Sequence, residues 1–578
     1  MRFLRILLSS IFLLVFCCLA FTEPYIIYYS WNDYKTIGES KQLKSVVLKR
    51  NLVNGVNTLT QKMLDSYGDN TKFIIKFDYS LAEDIVIPNN CELKFKGGKL
   101  RNGTVNFNHC RIESMKTAFY NIRFSNLDSI DIKCFDIPTD ATTLLQDLVN
   151  SCSFVDLKNE AFGVSKVIVV DGNNGEFFFS NGTVYALPGF EIYEGEGVTS
   201  TGTLMYMSGL NKSHINNITL DGKGIAQKGL LITQSKDVAI DKCTICNCDG
   251  ADKTMSWGLR CNDCSNIEFS NSNINNIVAL PVGRNGGSIG SAAGVVYEHT
   301  INSLITNNVI ENVQSTRDGD AIHIISIPSV NSKPAPFRED LYDNVNVSIS
   351  HNIIKANANS KRCIKVQAFG VQISNNYLQK LYTNKTNVVS IYGTNVIMEN
   401  NYIESNEYYT IGIGTSYLSA LNNIIIRNNT IDHKIATDWC SCIYVVGSSL
   451  KNFVVENNMV NVVNRFNSFF DVRGGLDSVI VSGNKVKGGS HFFRVRNEIN
   501  NAEVKDLELS GNEYEGEYDL LIIEKERGIN TSYGKVNVLN NIFTGGSDGK
   551  RMIEVVNSPE ATNCIRLDNN RSNKKLGL

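Results

Sequence analysis

From residue 300 onward one short phrase keeps returning: LITNN (304–308), SISHN (348–352), QISNN (372–376), IMENN (397–401), IIRNN (425–429), VVENN (454–458), IVSGN (480–484), ELSGN (508–512), NVLNN (537–541) and RLDNN (566–570). The closing Asn recurs at steps of 44, 24, 25, 28, 29, 26, 28, 29 and 29 residues, and IDKC (240–243) and FSNS (269–272) are weaker earlier copies. Each copy is a β-branched run, an Asn and then a second short apolar run, as in NNYIES and NNTIDH. No helical 3.6-residue period fits these stretches, and the turns are rich in Asn and Gly. A unit of about 27 residues with three short strands cannot close a core alone, but stacked units bury a continuous one. The expected fold is therefore all-β: a right-handed parallel β-helix of about 27 residues per coil, with coils about 4.8 Å apart. Asn suits the recurring corner because it tolerates left-handed dihedrals and its amide can hydrogen-bond along the stack.

Ahead of the repeat the chain changes character. MRFLRILLSSIFLLVFCCLAFTEP opens with Arg2 and Arg5 and continues into an apolar run. That run is shorter than the roughly 20 residues of a bilayer span, so it reads as an export signal over residues 1–20, cleaved after Ala20. Lipid attachment at Cys17 or Cys18 is the rival processing. The expected location is secreted or periplasmic, or lipid-anchored at the cell surface, with no membrane span. Residues 21–137 form a β-rich region, typified by DIVIPNNCELKFKGGKLRNGTVNFNHCRIE (84–113). Residues 138–160 hold a helix and a linker: in PTDATTLLQDLVNSC (138–152), Thr139 or Asp140 can cap a helix whose apolar face is Leu144, Leu145 and Leu148. Its expected job is to cover the open end of the stack. Residues 161–578 are the β-helix proper.

The net charge of −2 on 578 residues gives no support for nucleic-acid binding. Thirteen of the 15 Cys lie beyond the leader, an odd and scattered set that argues against a disulfide framework. CTICNC (243–248) and CNDC (261–264) together have the spacing of a zinc ribbon. Because they fall inside the repeat, the favoured reading is small apolar side chains stacked in neighbouring coils.

Counting from the Asn marker aligns the second strand of each coil: VVYEH (295–299), AIHII (321–325), CIKVQ (363–367), VVSIY (388–392), CIYVV (442–446), FFDVR (469–473) and FFRVR (492–496). Period-two alternation turns Ile322, Ile364, Val389, Ile443, Phe470 and Phe493 inward. The outward neighbours are Tyr297, His323, Lys365, Ser390, Tyr444, Asp471 and Arg494, and two residues further on come His299, Gln367, Tyr392, Arg473 and Arg496. Parity would bury Glu298, so either that coil slips by one residue or Glu298, not Tyr297, faces out. One face thus collects imidazole, phenol, ammonium and guanidinium groups, with coils spaced at about the length of one sugar residue. Aromatic faces suit sugar faces, and Arg forks suit carboxylate or sulfate. The long coils carrying PVGRNGGSIGSAAG (281–294) and SIPSVNSKPAPFREDLYD (326–343) flank the same rows.

The Asn-ended coils with an outward charged row beside long loops resemble the pectate-lyase-like β-helix superfamily over roughly residues 160–578, and LKFKGGKLRNGTV resembles the leading segment of secreted bacterial β-helix proteins. That resemblance implies action on acidic polysaccharides, as lyase or hydrolase, or a binding or tail-spike role. The leading expectation is a monomeric polysaccharide lyase that cleaves a uronic-acid-containing chain, glycosaminoglycan or pectin-like, by β-elimination. His323 or Lys365 would be the base and Tyr392 or Tyr297 the acid. His299, Gln367 and Arg473 would grip the carboxylate, with Tyr444, Arg494 and Arg496 holding the chain further along. Lyases of this superfamily often use calcium, but the stripe lacks a carboxylate cluster for it, so a metal-free site is expected. The rival enzyme is a polygalacturonase-like hydrolase using Asp318 and Asp320 of RDGDAIH (317–323) as acid and base. Against it, there is no adjacent Asp-Asp and no Gly-His-Gly, and simple alternation puts Arg362 and Lys365 on opposite faces. A non-catalytic glycan binder would need only the aromatic and Arg stripe.

Overall fold

The computed structural model describes residues 43–572 apart from 115–116, 128–129, 194–198, 251–254, 281–289, 316–317, 327–343, 415–420, 435–439, 464–467, 498–501, 526–530 and 545–551. Residues 1–20, read above as an export signal, and most of the two long loops lie outside the described residues. The chain divides into two compact units, one ending at Asp136 and one beginning at Ile137.

In the first unit, Lys44–Val47, Thr71–Ile75, Glu92–Phe95 and Arg111–Glu113 pair in parallel across successive turns. A second sheet runs through Tyr79–Leu81, Leu100–Asn106 and Phe119–Ser125. Its interior is aromatic: Phe119 meets Phe107 at 5.4 Å and Phe135 at 5.1 Å between ring centroids.

The second unit is the parallel β-helix. Its 38 described strands, from Phe154–Val164 to Arg571–Ser572, join in one continuous sheet. Strands of one coil pair in parallel with those of the next, as Ile322 with Ile364 and Ile364 with Val389. The Asn pair at each corner divides the work. The first member takes the left-handed backbone, as at Asn307, Asn375, Asn400, Asn428 and Asn457 (φ between 55 and 57°), and where it is not Asn it is His351 or Gly at 483 and 511. The second turns into the stack and forms a ladder. Asn376 donates through Nδ2 to Asn401 Oδ1 (3.0 Å) and to Ile349 O (2.9 Å), and its backbone N–H donates to the same Oδ1. The pattern runs unbroken from Asn308 through Asn352, Asn376, Asn401, Asn429, Asn458, Asn484, Asn512 and Asn541 to Asn570. Every amide is satisfied by its neighbours, so the buried polar corner carries no desolvation penalty.

The helix Thr142–Ser151 covers the first coils, with Leu144, Leu145 and Leu148 buried. Asp140, not Thr139, takes the free backbone N–H of Thr142 (3.0 Å). Gln146 then substitutes for a missing strand: its amide donates to Val169 O (2.6 Å) and accepts from Val169 N–H (2.9 Å). This satisfies backbone groups that an uncovered edge would leave open. Cys243, Cys248, Cys261 and Cys264 are buried free thiols, and burial pushes Cys243 up to about 12 and Cys264 to about 11. Cys243 and Cys264 reach main-chain carbonyls. The described residues contain no helix long and apolar enough to cross a membrane.

Candidate active site

The face of interest is built from Ala292–Glu298, Gly319–Ile325, Arg362–Gln367, Asn387–Ile391, Tyr409–Gly414 and the first halves of Ser441–Glu456 and Ser468–Ser482. Ile322, Ile364, Val389, Ile443, Phe470 and Phe493 are all 0% exposed and fill the interior. His323, Lys365, Ser390, Gly412, Tyr444, Asp471 and Arg494 form one ladder on the opposite side of the strands. Gln367 and Ile325 share the next outward row, as do Arg473 and Arg496.

Register removes two residues from the expected site. Val296, not Tyr297, pairs with His323, and Tyr297 pairs with Ile324 of the inward row. Its side chain is fully buried, its hydroxyl donates to Leu304 O (3.4 Å), and burial holds the phenol well above its ordinary range. Tyr297 is therefore a core residue and not an acid at the surface. His299 lies past the strand end in a left-handed corner (φ 46°), exposed and 3.5 Å from Asp263. The coil slips by one residue, so Glu298 occupies the row and forms an ion pair with Arg260.

A third correction concerns parity within each strand. Cys363 and Ile364 are both fully buried, as are Val388 and Val389, Cys442 and Ile443, Phe469 and Phe470, and Phe492 and Phe493. Two consecutive inward residues recur in these five coils, and the residue before the pair faces out again. Arg362 consequently shares a face with Lys365, and simple alternation fails at this one step.

The result is a compact charged group. Arg362 Nη1 donates to Asp318 Oδ1 (3.0 Å) and Asp320 Oδ1 (2.9 Å), while its Nε donates to Ser390 Oγ (2.9 Å). Lys365 Nζ lies 3.5 Å from Asp318 Oδ2 and 3.9 Å from Asp320 Oδ2. Lys365 is 4% exposed, so it is an ion-pair partner of both aspartates and not a base open to the cleft. His323 stands beside them, with Nδ1 3.8 Å from Asp320 Oδ2 and Nε2 3.4 Å from Gln367 Oε1. Burial, then the charge of Lys365, holds its imidazole well below 6.5, so the ring is neutral at neutral pH. For Asp318 burial alone would raise the carboxyl, but Lys365 and Arg362 outweigh it and hold it at about 2. Burial would likewise loosen the proton of Arg362, yet Asp320, Tyr392 and Asp318 push it further up. Tyr392 follows the strand Asn387–Ile391, half-buried, its N–H donating to Val366 O (2.8 Å).

Four coils further on, roughly 19 Å away at about 4.8 Å per coil, a second group forms on the same face. Tyr444 stacks on Tyr409 (4.0 Å, 10°) and carries Arg473 over its ring at 5.3 Å. Arg496 forks onto the buried Asp471, and Arg494 onto Glu524 (2.8 and 3.2 Å). Arg494 and Arg496 thus reach the face already bound to carboxylates, which weakens their expected role in gripping a polyanion. Among the described residues no group of three or more His, Cys, Asp and Glu is arranged to hold a metal ion. Sequence reasoning set Arg362 on the wrong face and placed Ser390 in the outward row without a role. The signal for Arg362 was the recurring pair of apolar residues behind it.

No family model and no curated protein matches the chain. Solved structures resemble it distantly. The tailspike of Pseudomonas phage phi297 shares 10% identity over 64% of this chain and 50% of its own, with a TM-score of 0.31. The Streptococcus pneumoniae surface protein and adhesin PfbA shares 13% over 86% and 94% (TM-score 0.28). A mannuronic acid specific polysaccharide family 6 lyase from the human gut microbiota shares 10% over 73% and 85% (TM-score 0.32). The chain thus spans about half the length of the tailspike and most of the other two. The fold assignment rests on the coil register itself.

Proposed function

We propose that the chain is an exported polysaccharide lyase that cleaves a uronic-acid-containing polymer by β-elimination at the His323 group, without a metal ion. One observation carries this reading. A neutral imidazole stands on the solvent side of the sheet beside two fixed cations and above a buried carboxylate. Gln367 Oε1 lies 3.4 Å from Nε2, and the neutral ring supplies the lone pair that removes the proton from C5 of the uronate. Asp320 lies close enough to balance the imidazolium that forms. The C4–O4 bond breaks as the C4–C5 double bond forms, and the Tyr392 hydroxyl supplies the proton to the leaving oxygen. Arg362 takes the substrate carboxylate and stabilises the enolate-like charge. Asp318 is the group displaced from Arg362, because its side chain is 45% exposed whereas Asp320 is 1% exposed.

A second reading has one observation in its favour. With Arg362, Lys365, Asp318, Asp320 and His323 on one face, the parity objection to a glycoside hydrolase is gone. Asp318, ionised at about 2, would then be the base or nucleophile. That reading lacks its acid: Asp320 is buried and shares one guanidinium nitrogen with Asp318. Incubation with polygalacturonate, alginate and chondroitin sulfate separates the two. The lyase yields ultraviolet-absorbing unsaturated ends together with new reducing ends. New reducing ends alone establish the hydrolase, and neither product on any polymer leaves a binding protein.

A further inference from the structure

Gly412 interrupts the outward ladder between Ser390 and Tyr444, where every neighbouring coil of the face carries a side chain. The space is already in use. A Cβ built on Gly412 would lie 2.1 Å from Nδ2 and 2.4 Å from Cγ of Asn387, one coil below. In that position Asn387 Nδ2 donates to Ser390 Oγ (2.8 Å), and Ser390 Oγ in turn accepts from Arg362 Nε (2.9 Å). Ser390 is fully buried, so its oxygen has a fixed location and two fixed donors. The other edge of the same guanidinium is the one that binds Asp318 and Asp320.

We propose that Gly412, Asn387 and Ser390 are positioning residues that aim Arg362: the missing side chain at 412 lets the Asn387 amide lock Ser390 onto Arg362 Nε, which leaves Nη1 pointing at the two aspartates beside His323. The function of this relay rests on the lyase reading; its geometry does not. A planar guanidinium has one orientation when both edges are held and can swing when one is released. Misplacing a group that must meet substrate charge costs about 10- to 100-fold in rate even when the altered residue touches no substrate.

The geometry makes a clean perturbation available. The atoms facing the absent Cβ are the far end of a flexible side chain, so Gly412→Ala displaces Asn387 and need not disturb the backbone. Asn387→Ala breaks the same link from the other side. The expected result on the polymer that the wild-type enzyme cleaves is a kcat lower by about 10- to 100-fold in each variant, with KM changed by less than about threefold. The double variant should lose no more than either single one, because both remove one link of one chain. Ser390→Thr, which keeps the hydroxyl, should lose less than Ser390→Ala.

A second readout needs no substrate. His323 faces Asp320, Asp318, Lys365, Arg362 and Gln367, and Arg362 is one of the cations that depress it. The NMR titration of the His323 ring, assigned with His323→Gln, should shift upward in Gly412→Ala, Asn387→Ala and the double variant alike. An unmoved His323 titration in folded variants, or additive losses in the double variant, would overturn the relay whether or not any polymer is cleaved. A shifted titration with no cleavage of any polymer would sink the lyase reading and leave the relay standing.

Discussion

Two groups on one face, four coils apart, hold arginine against carboxylate in opposite ways. At the Tyr444 group, Arg496 forks onto the buried Asp471. Around His323, Arg362 divides one nitrogen between a buried and a half-exposed aspartate, and Lys365 approaches the same two. The first arrangement is closed, since each charge has its complement and the geometry is bidentate. On the lyase reading the second is open, because a substrate carboxylate could take the place of Asp318 without leaving a cation unpaired. The same residue types on one face would then serve stability in one place and exchange in the other. What separates them is geometry: both oxygens of one carboxylate engage Arg496, whereas one nitrogen of Arg362 is divided between two aspartates.

Five substitutions and a pH series test that contrast. The largest effect belongs to His323→Gln, which keeps a polar side chain but removes the proton acceptor. It should lower kcat by about 10²- to 10⁴-fold with the thermal midpoint nearly unchanged, measured from steady-state rates and melting curves. Next, Arg496→Met strands a buried carboxylate and should cost about 3–5 kcal/mol of stability by denaturant titration, while Arg362→Met, whose aspartates keep Lys365, should cost less and abolish turnover. A result in which the two exchange roles would erase the distinction between closed and open groups.

Acid should act on both stability and rate, and the signs agree. Burial holds His433 at about 3, below its ordinary 6.5, so the unfolded chain binds the extra proton between those values. Stability is complete above 6.5 and falls as pH drops toward 3, by several kcal/mol at about 1.4 kcal/mol per unit. Asp318, held at about 2, adds a contribution that is present above 3.8 and lost as pH falls through 2. His433→Gln should flatten the upper part of this acid transition in a melting-temperature series. Because His323 is also depressed, the acid limb of kcat should lie below 6.5. A limb at or above 6.5 would point to a different base. The smallest effect is Arg494→Gln, whose partner Glu524 is partly exposed. It should change stability by less than about 1 kcal/mol.

The coil architecture was readable because one residue type answers two needs at the corner. Asn supplies the left-handed turn and, one position later, the satisfied buried amide, so the phrase cannot drift without cost. The inward row was readable for a related reason, since Ile322, Ile364 and Phe470 have no alternative to burial. The site was less legible because its parity is set by two consecutive inward residues, which alternation ignores. CI, VV, CI, FF and FF recur at that step, and reading them as paired inward residues would have brought Arg362 beside Lys365. Tyr297 and His299 failed for a different cause. Counting from the Asn marker assumes equal corners, and the corner after Glu298 is one residue out of step. That Arg494 and Arg496 come with their own acids depends on which coil lies beside which, so Glu524 could be named only once the register was known.

The direct measurement is the kinetics of Asp318→Asn on whichever uronate polymer the wild-type protein is found to cleave. If Asp318 only keeps the place of the substrate carboxylate on Arg362, the variant retains kcat within about tenfold and its KM does not rise. If turnover instead falls by about 10³-fold or more, Asp318 takes part in the chemistry and elimination by His323 is contradicted.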